Sequence, residues 1–195
     1  MKSFEQQVKD LLDSFSVPYI DQGNNYDLPD LTVQLSVGQV HIELKEKRQT
    51  YRSTKWPLIA PEEHSFIIDE FTVRKMMIQS PNVVLIARDN TSQKYYLADI
   101  YSLVFMPRNR CNRRMESIAG DIVHIKGKWC LDFRNFVEYN TLPDVFRSIK
   151  EYILHIPTTK ENGVDCWHPF PNETLEIAGD LRTLEQRKHD VQATR

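Results

Sequence analysis

Glycine is scarce, with six residues in a chain of 195. A glycine-rich loop that cradles phosphates with its backbone is therefore not expected, and no Gly-x-x-x-x-Gly-Lys-Ser/Thr run occurs. Cysteine is scarcer still. Cys111, Cys130 and Cys166 are odd in number and widely spaced, which argues against a disulfide framework. No Cys-x-x-Cys pair suggests a zinc knuckle, and Cys166 and His168 have no further ligands nearby to complete one. Long apolar runs are also missing. The longest, Val83 to Ala87, falls far short of the ~20 residues that span a bilayer. Met1 to Glu5 lacks the apolar stretch of a signal peptide, so a cytoplasmic protein without a membrane partner is expected. Neither sign of charge dominates: 25 Lys and Arg stand against 27 Asp and Glu. A uniformly basic coat for nucleic acid is excluded, but local basic patches are not. Neither a Gly-x-Ser-x-Gly elbow nor a His-Glu-x-x-His helix is present.

What is present is enough for one core. Hydrophobic residues make up 41% and charged residues 27%, too apolar a balance for a disordered chain. One domain over residues 1–156 is expected, followed by a polar extension over 157–195. In that extension Leu175, Ala178, Leu181 and Leu184 suggest an amphipathic helix over 172–188 and a candidate dimer contact. Charge is segregated along the chain. Residues 1–44 hold two lysines against seven acids, whereas 45–55 and 106–128 are basic. That order suits a cation site working on a polyanion.

Phe4, Val8, Leu11, Leu12 and Phe15 share a stripe at helical spacing behind Ser3, a suitable N-cap. A short strand is expected over 18–21. Leu31, Val33 and Leu35 alternate with polar residues, as do Val40, Ile42 and Leu44, with Ser36 to Gln39 between them. This predicts a hairpin in which Leu35 faces Val40, Val33 faces Ile42 and Leu31 faces Leu44. Beyond it, a helix is expected over 61–78 and a strand buried on both faces over 82–87. A strand over 94–98 and a short helix near 99–105 follow. A second hairpin is expected around Gly127, and a helix over 142–154.

The polar face of the first hairpin carries the chemistry. In the expected register Asp30 lies opposite Lys45 and diagonal to Glu43, close enough for both carboxylates to reach one cation. Hard divalent ions take oxygen ligands, and Mg²⁺ typically uses one or two carboxylates plus waters and phosphate oxygens. Lys45 is placed to hold a water beside such an ion.

Pro29-Asp30, twelve intervening residues and then Glu43-Leu44-Lys45 resembles the signature of the PD-(D/E)xK, or restriction-endonuclease-like, nuclease superfamily. The resemblance covers roughly the first half of the chain. It implies an α/β fold, a central mixed sheet with flanking helices in αβββαβ order, extended here at the C-terminus. It further implies Mg²⁺, replaceable by Mn²⁺, held by Asp30, Glu43 and the Leu44 carbonyl, with Glu5 of the first helix as a further ligand. Lys45 would orient the attacking water in phosphodiester hydrolysis. DNA is the expected substrate, with RNA kept open, and a homodimer would suit cutting of two strands. Lys47, Arg48 and Arg52 follow the signature strand, and Arg110 and Arg113 lie in a second basic cluster; both groups are expected to contact nucleic acid. Tyr51 and Trp56 are placed to stack on a base or sugar. A domain of the same fold that binds nucleic acid or protein without cutting is the alternative.

Overall fold

Helix α1 (Phe4–Ser14) begins where the Ser3 side chain accepts a hydrogen bond from the Gln6 amide, and it buries Phe4, Val8 and Leu12. The computed structural model describes residues 2–23, 25–116 and 123–161. The expected helix over 172–188 lies outside the described residues. Strand β1 (Tyr19–Asp21) pairs with β2 (Leu31–Leu35), which pairs with β3 (Gly38–Lys47), all antiparallel.

The β2–β3 hairpin differs from expectation in one respect. Its turn is two residues, Ser36 and Val37, rather than four, because Gly38 already starts β3. Gly38 has φ of 142°, a backbone region that side chains disfavour. The register therefore moves by two residues: Leu31 pairs with Ile42, Val33 with Val40 and Leu35 with Gly38. An even shift leaves every side chain on its face. Leu31, Val33, Val40, Ile42 and Leu44 remain together, buried against α1 and α4 (Leu142–Glu161).

The helix expected over 61–78 is half strand. Ser65–Asp69 is β4, and only Glu70–Ile78 is helical, as α2. Phe66 and Ile68 alternate inward at period two, and β4 pairs with β8 (Val123–Asp132), so tertiary pairing overrides the local helical spacing. Gly127 is likewise no turn. It lies within β8, opposite Asn112 of β7 (Asn109–Glu116), and a Cβ there would come within 2.3 Å of Glu70 Oε2. The glycine admits α2 against the strand.

Two strands and a helix complete the first sheet and its cover: β5 (Val83–Asp89), β6 (Lys94–Asp99) and α3 (Ile100–Phe105). The edge strand is β9 (Val137–Tyr139). The sheet runs β1-β2-β3-β5-β6-β9, with β3 and β5 parallel and the rest antiparallel. It is therefore a mixed sheet, and its strand β5 is buried on both faces as expected. A second, antiparallel sheet runs β4-β8-β7. One core lies between the large sheet, α1 and α4; the other lies between that sheet, α2, α3 and the small sheet. Helix α4 continues through Pro157 to Glu161, longer than the helix expected over 142–154. Among the described residues no helix is long and apolar enough to cross a membrane.

Candidate active site

Strand alternation sends Glu43, Lys45 and Lys47 to the face away from α1, while Leu44 points into the α1 core. In the observed register Asp30, at the entry to β2, falls opposite Glu43 rather than Lys45. The Asp30 Oδ2 accepts the Leu44 N–H at 2.7 Å, which anchors the Asp30 side chain across the strand end. Lys45 Nζ lies 2.5 Å from Glu43 Oε1 and 3.9 Å from Asp30 Oδ2. The three residues singled out from the signature are thus brought together.

Burial divides them. Glu43 is fully buried, whereas the Asp30 and Lys45 side chains are 24% and 32% exposed. Both line a cleft of about 320 Å³, together with Ser3, Phe4, Glu5, Leu44, Glu46 and Arg48. Glu43 has two cationic neighbours: Lys45 at Oε1, and Lys75 of α2 at 2.8 Å from Oε2. Both ammonium groups stand at ion-pair distance, yet neither carboxylate oxygen receives a well-directed hydrogen bond. Burial pushes the Glu43 carboxyl above its ordinary value; Lys45 pulls it back and the Asp30 charge pushes it further up. A buried carboxylate whose lone pairs lack directed donors is unusual and costly.

These residues fit a hard divalent ion. Asp30 and Glu43 supply carboxylate oxygens, the Leu44 carbonyl follows directly after Glu43 in the chain, and the cleft that Asp30 and Leu44 line leaves room for water and a phosphate. Glu5 lines the same cleft, but its carboxylate is paired with Lys9 at 2.5 Å, and Lys9 also holds Asp21 at 2.5 Å. Among the described residues no three His, Cys, Asp or Glu side chains converge on one point. His41 is half-buried two residues before Glu43, its Nδ1 3.0 Å from Thr32 Oγ1, and burial lowers its pKa.

The residues expected to contact nucleic acid separate into two groups. Lys47 is a correction. It has the inward parity of Glu43 and Lys45 and is fully buried beneath the Phe133 ring. Its Nζ donates to Asp89 Oδ2 at 3.1 Å and to the Glu63 carbonyl at 2.5 Å. Arg110 is held by Glu70, Nε to Oε2 at 2.6 Å. Arg48 and Arg52 are exposed, Arg48 pairing with Glu46 at 2.8 Å. Arg113 is exposed on β7 and stacks 4.1 Å from the centroid of the Trp56 ring. Tyr51 meets Trp56 edge-on, and Asn109 donates to the Pro57 carbonyl. The two basic segments, far apart in sequence, therefore share one surface. Lys126 lies opposite Arg113 and extends it.

Lys75 is the site residue that sequence reasoning missed. Its signal was a lysine beside Val73 and Met76, on the buried side of the helix that follows the signature strand.

The order α1-β1-β2-β3-α2-β5, with β4 inserted before α2, agrees with the αβββαβ order expected from the sequence. No protein-family profile matches the chain, and no curated protein matches it. Solved structures similar to it include Hjc from Archaeoglobus fulgidus, a Holliday junction resolvase from an archaeal hyperthermophile. That match has 10% identity and a TM-score of 0.39, covering 70% of this chain and 92% of the other. Another is D212, a nuclease from a fusselovirus, at 9% identity and a TM-score of 0.41, covering 78% of this chain and 95% of the other.

Proposed function

We propose that this protein is a Mg²⁺-dependent nuclease that hydrolyses phosphodiester bonds, with DNA as its substrate. The observation that carries the reading is Glu43. It is a fully buried carboxylate held between two ammonium groups, next to Asp30 and Lys45, which line an open cleft. Asp30, Glu43 and the Leu44 carbonyl would hold the ion. When bound, the ion supplies Lewis-acid polarisation of the phosphate and lowers the pKa of a water.

The chain's own groups do the rest. Lys45, anchored on Glu43 and partly exposed to the cleft, donates to the attacking water and keeps its lone pair aimed at phosphorus. Its charge also offsets the negative charge that grows on the phosphate oxygens. The water oxygen bonds to phosphorus and its proton passes to solvent; the P–O bond to the leaving sugar breaks with its electron pair on the sugar oxygen, which takes a proton from solvent. Arg48 at the cleft, and Arg52, Arg113 and Lys126 on the stacked surface, would hold the flanking phosphates. The reading as a binding module without turnover has one observation in its favour: both Glu43 oxygens already face an ammonium.

The test is cleavage of plasmid and of labelled single- and double-stranded DNA and RNA, with Mg²⁺ or Mn²⁺ and with chelator. Wild type should cut DNA only with the metal, and Glu43→Ala should lower the rate by at least about 10²–10³-fold while remaining folded by circular dichroism. Wild type inert on every substrate with both metals, or an active Glu43→Ala, rejects the nuclease reading.

A further inference from the structure

One ammonium reaches both halves of the candidate cation site from outside the cleft. Lys75 projects from α2, its side chain 10% exposed, and it is not among the cleft-lining residues. Its Nζ stands 2.8 Å from Glu43 Oε2 and donates to the Leu28 carbonyl at 3.0 Å. Leu28 precedes Asp30 by two residues in the loop between β1 and β2. The same head group therefore joins the strand that carries one acid to the loop that carries the other. Asp30 is itself anchored to β3 by the Leu44 N–H, with Lys45 Nζ at 3.9 Å. The neighbouring positions of α2, Val73 and Met76, are apolar core. A lysine among them needs partners for its charge, and Glu43 and Leu28 are the partners.

We infer that Lys75 is a positioning residue: it fixes the Glu43 carboxylate and the Asp30 loop at the separation that a divalent ion needs. This rests on the reading of Asp30 and Glu43 as metal ligands. Lys75 touches neither the cleft nor a substrate there; it acts through the two acids. A mere counter-charge at Glu43 would behave in the opposite way. Removing a counter-charge takes away a competitor of the ion and tightens metal binding, whereas removing a positioning group loosens it. Partners that orient metal ligands are typically worth about 10–100-fold in metal affinity.

The experiment compares the full-length wild type with Lys75→Met, which keeps the length and apolar stem of the side chain. Mn²⁺ affinity is measured by calorimetry. Exchange of the Leu44 amide, the group bonded to Asp30, is measured by NMR without metal. The expected result is Mn²⁺ binding about 10–100-fold weaker in Lys75→Met. Leu44 exchange should be about tenfold faster, while the slowest-exchanging amides of β5 keep their rates. Equal or tighter Mn²⁺ binding in Lys75→Met, or unchanged Leu44 exchange, overturns the inference. If wild type itself binds no Mn²⁺, the metal reading of Asp30 and Glu43 falls, and Leu44 exchange alone decides whether Lys75 holds the loop. Should Lys75→Met not fold, Lys75→Gln, too short to reach both partners, is read by the same two measurements.

Discussion

Two lysines on one face of β3, two residues apart, meet different fates. Lys47 is closed in. Its ammonium has a carboxylate and a carbonyl at hydrogen-bonding distance, and the Phe133 ring centroid lies 5.3 Å away. Its partner Asp89 accepts from the Thr91 amide and hydroxyl, at 2.8 and 2.7 Å. Lys45 also leans on a buried carboxylate, but that carboxylate lacks directed donors and the lysine lines an open cleft. A buried pair with every polar atom satisfied serves to lock the strand in place. A buried acid left incompletely satisfied beside solvent is where a ligand has something to add. Ion-pair distance alone does not separate the two; hydrogen-bond completeness and access do.

The two lysines should differ most in what they contribute to stability. Lys47→Met leaves Asp89 buried without its cation and should cost about 3–5 kcal/mol in urea denaturation, whereas cleavage by the molecules still folded should persist. Lys45→Met should cost about 1 kcal/mol or less, since its side chain is partly exposed, yet lower cleavage by about 10²–10³-fold. Equal losses of stability, or a cleavage defect confined to Lys47→Met, would contradict the division. Acid sharpens the same contrast. Burial raises the Asp89 carboxyl, but the Thr91 bonds and Lys47 outweigh it and hold the group below its ordinary value. A carboxyl with a lowered folded pKa contributes stability above its unfolded pKa and loses it as pH falls through the folded one. Below about pH 4, wild-type stability should therefore fall more steeply with pH than that of Asp89→Asn. A parallel decline in the two proteins would show that Asp89 is not ionised by its partners. The smallest effect belongs to the outer surface. Arg113→Ala should weaken DNA binding uniformly across sequences and reduce the salt slope by about one counterion, read by fluorescence anisotropy. An unchanged slope would remove Arg113 from the interface.

Much of this was legible in the chain. Alternation over 31–35 and 40–44 placed the acids on one face, because a period of two survives an even slip in register. The slip itself was hidden, since it depends on Gly38 adopting a conformation that composition does not reveal. Phe66 and Ile67 fit a helical stripe as well as a strand, and the partner that decides, β8, lies more than fifty residues away. Gly127 read as a turn because its actual role, admitting Glu70, is a tertiary contact. Lys47 read as surface because charge usually is. Its burial follows from a strand longer than the hairpin pattern suggested and from the covering Phe133. Lys75 stayed invisible for a related reason: only the docking of α2 among β4, β5 and β8 brings it to Glu43.

The most direct test of the central claim is anomalous diffraction from a crystal soaked in Mn²⁺. A single manganese peak bonded to Asp30, Glu43 and the Leu44 carbonyl, with Lys45 drawn off Glu43 toward a metal-bound water, is the expected result. An absent peak, or one elsewhere while both ammonium groups still hold Glu43, would contradict the account.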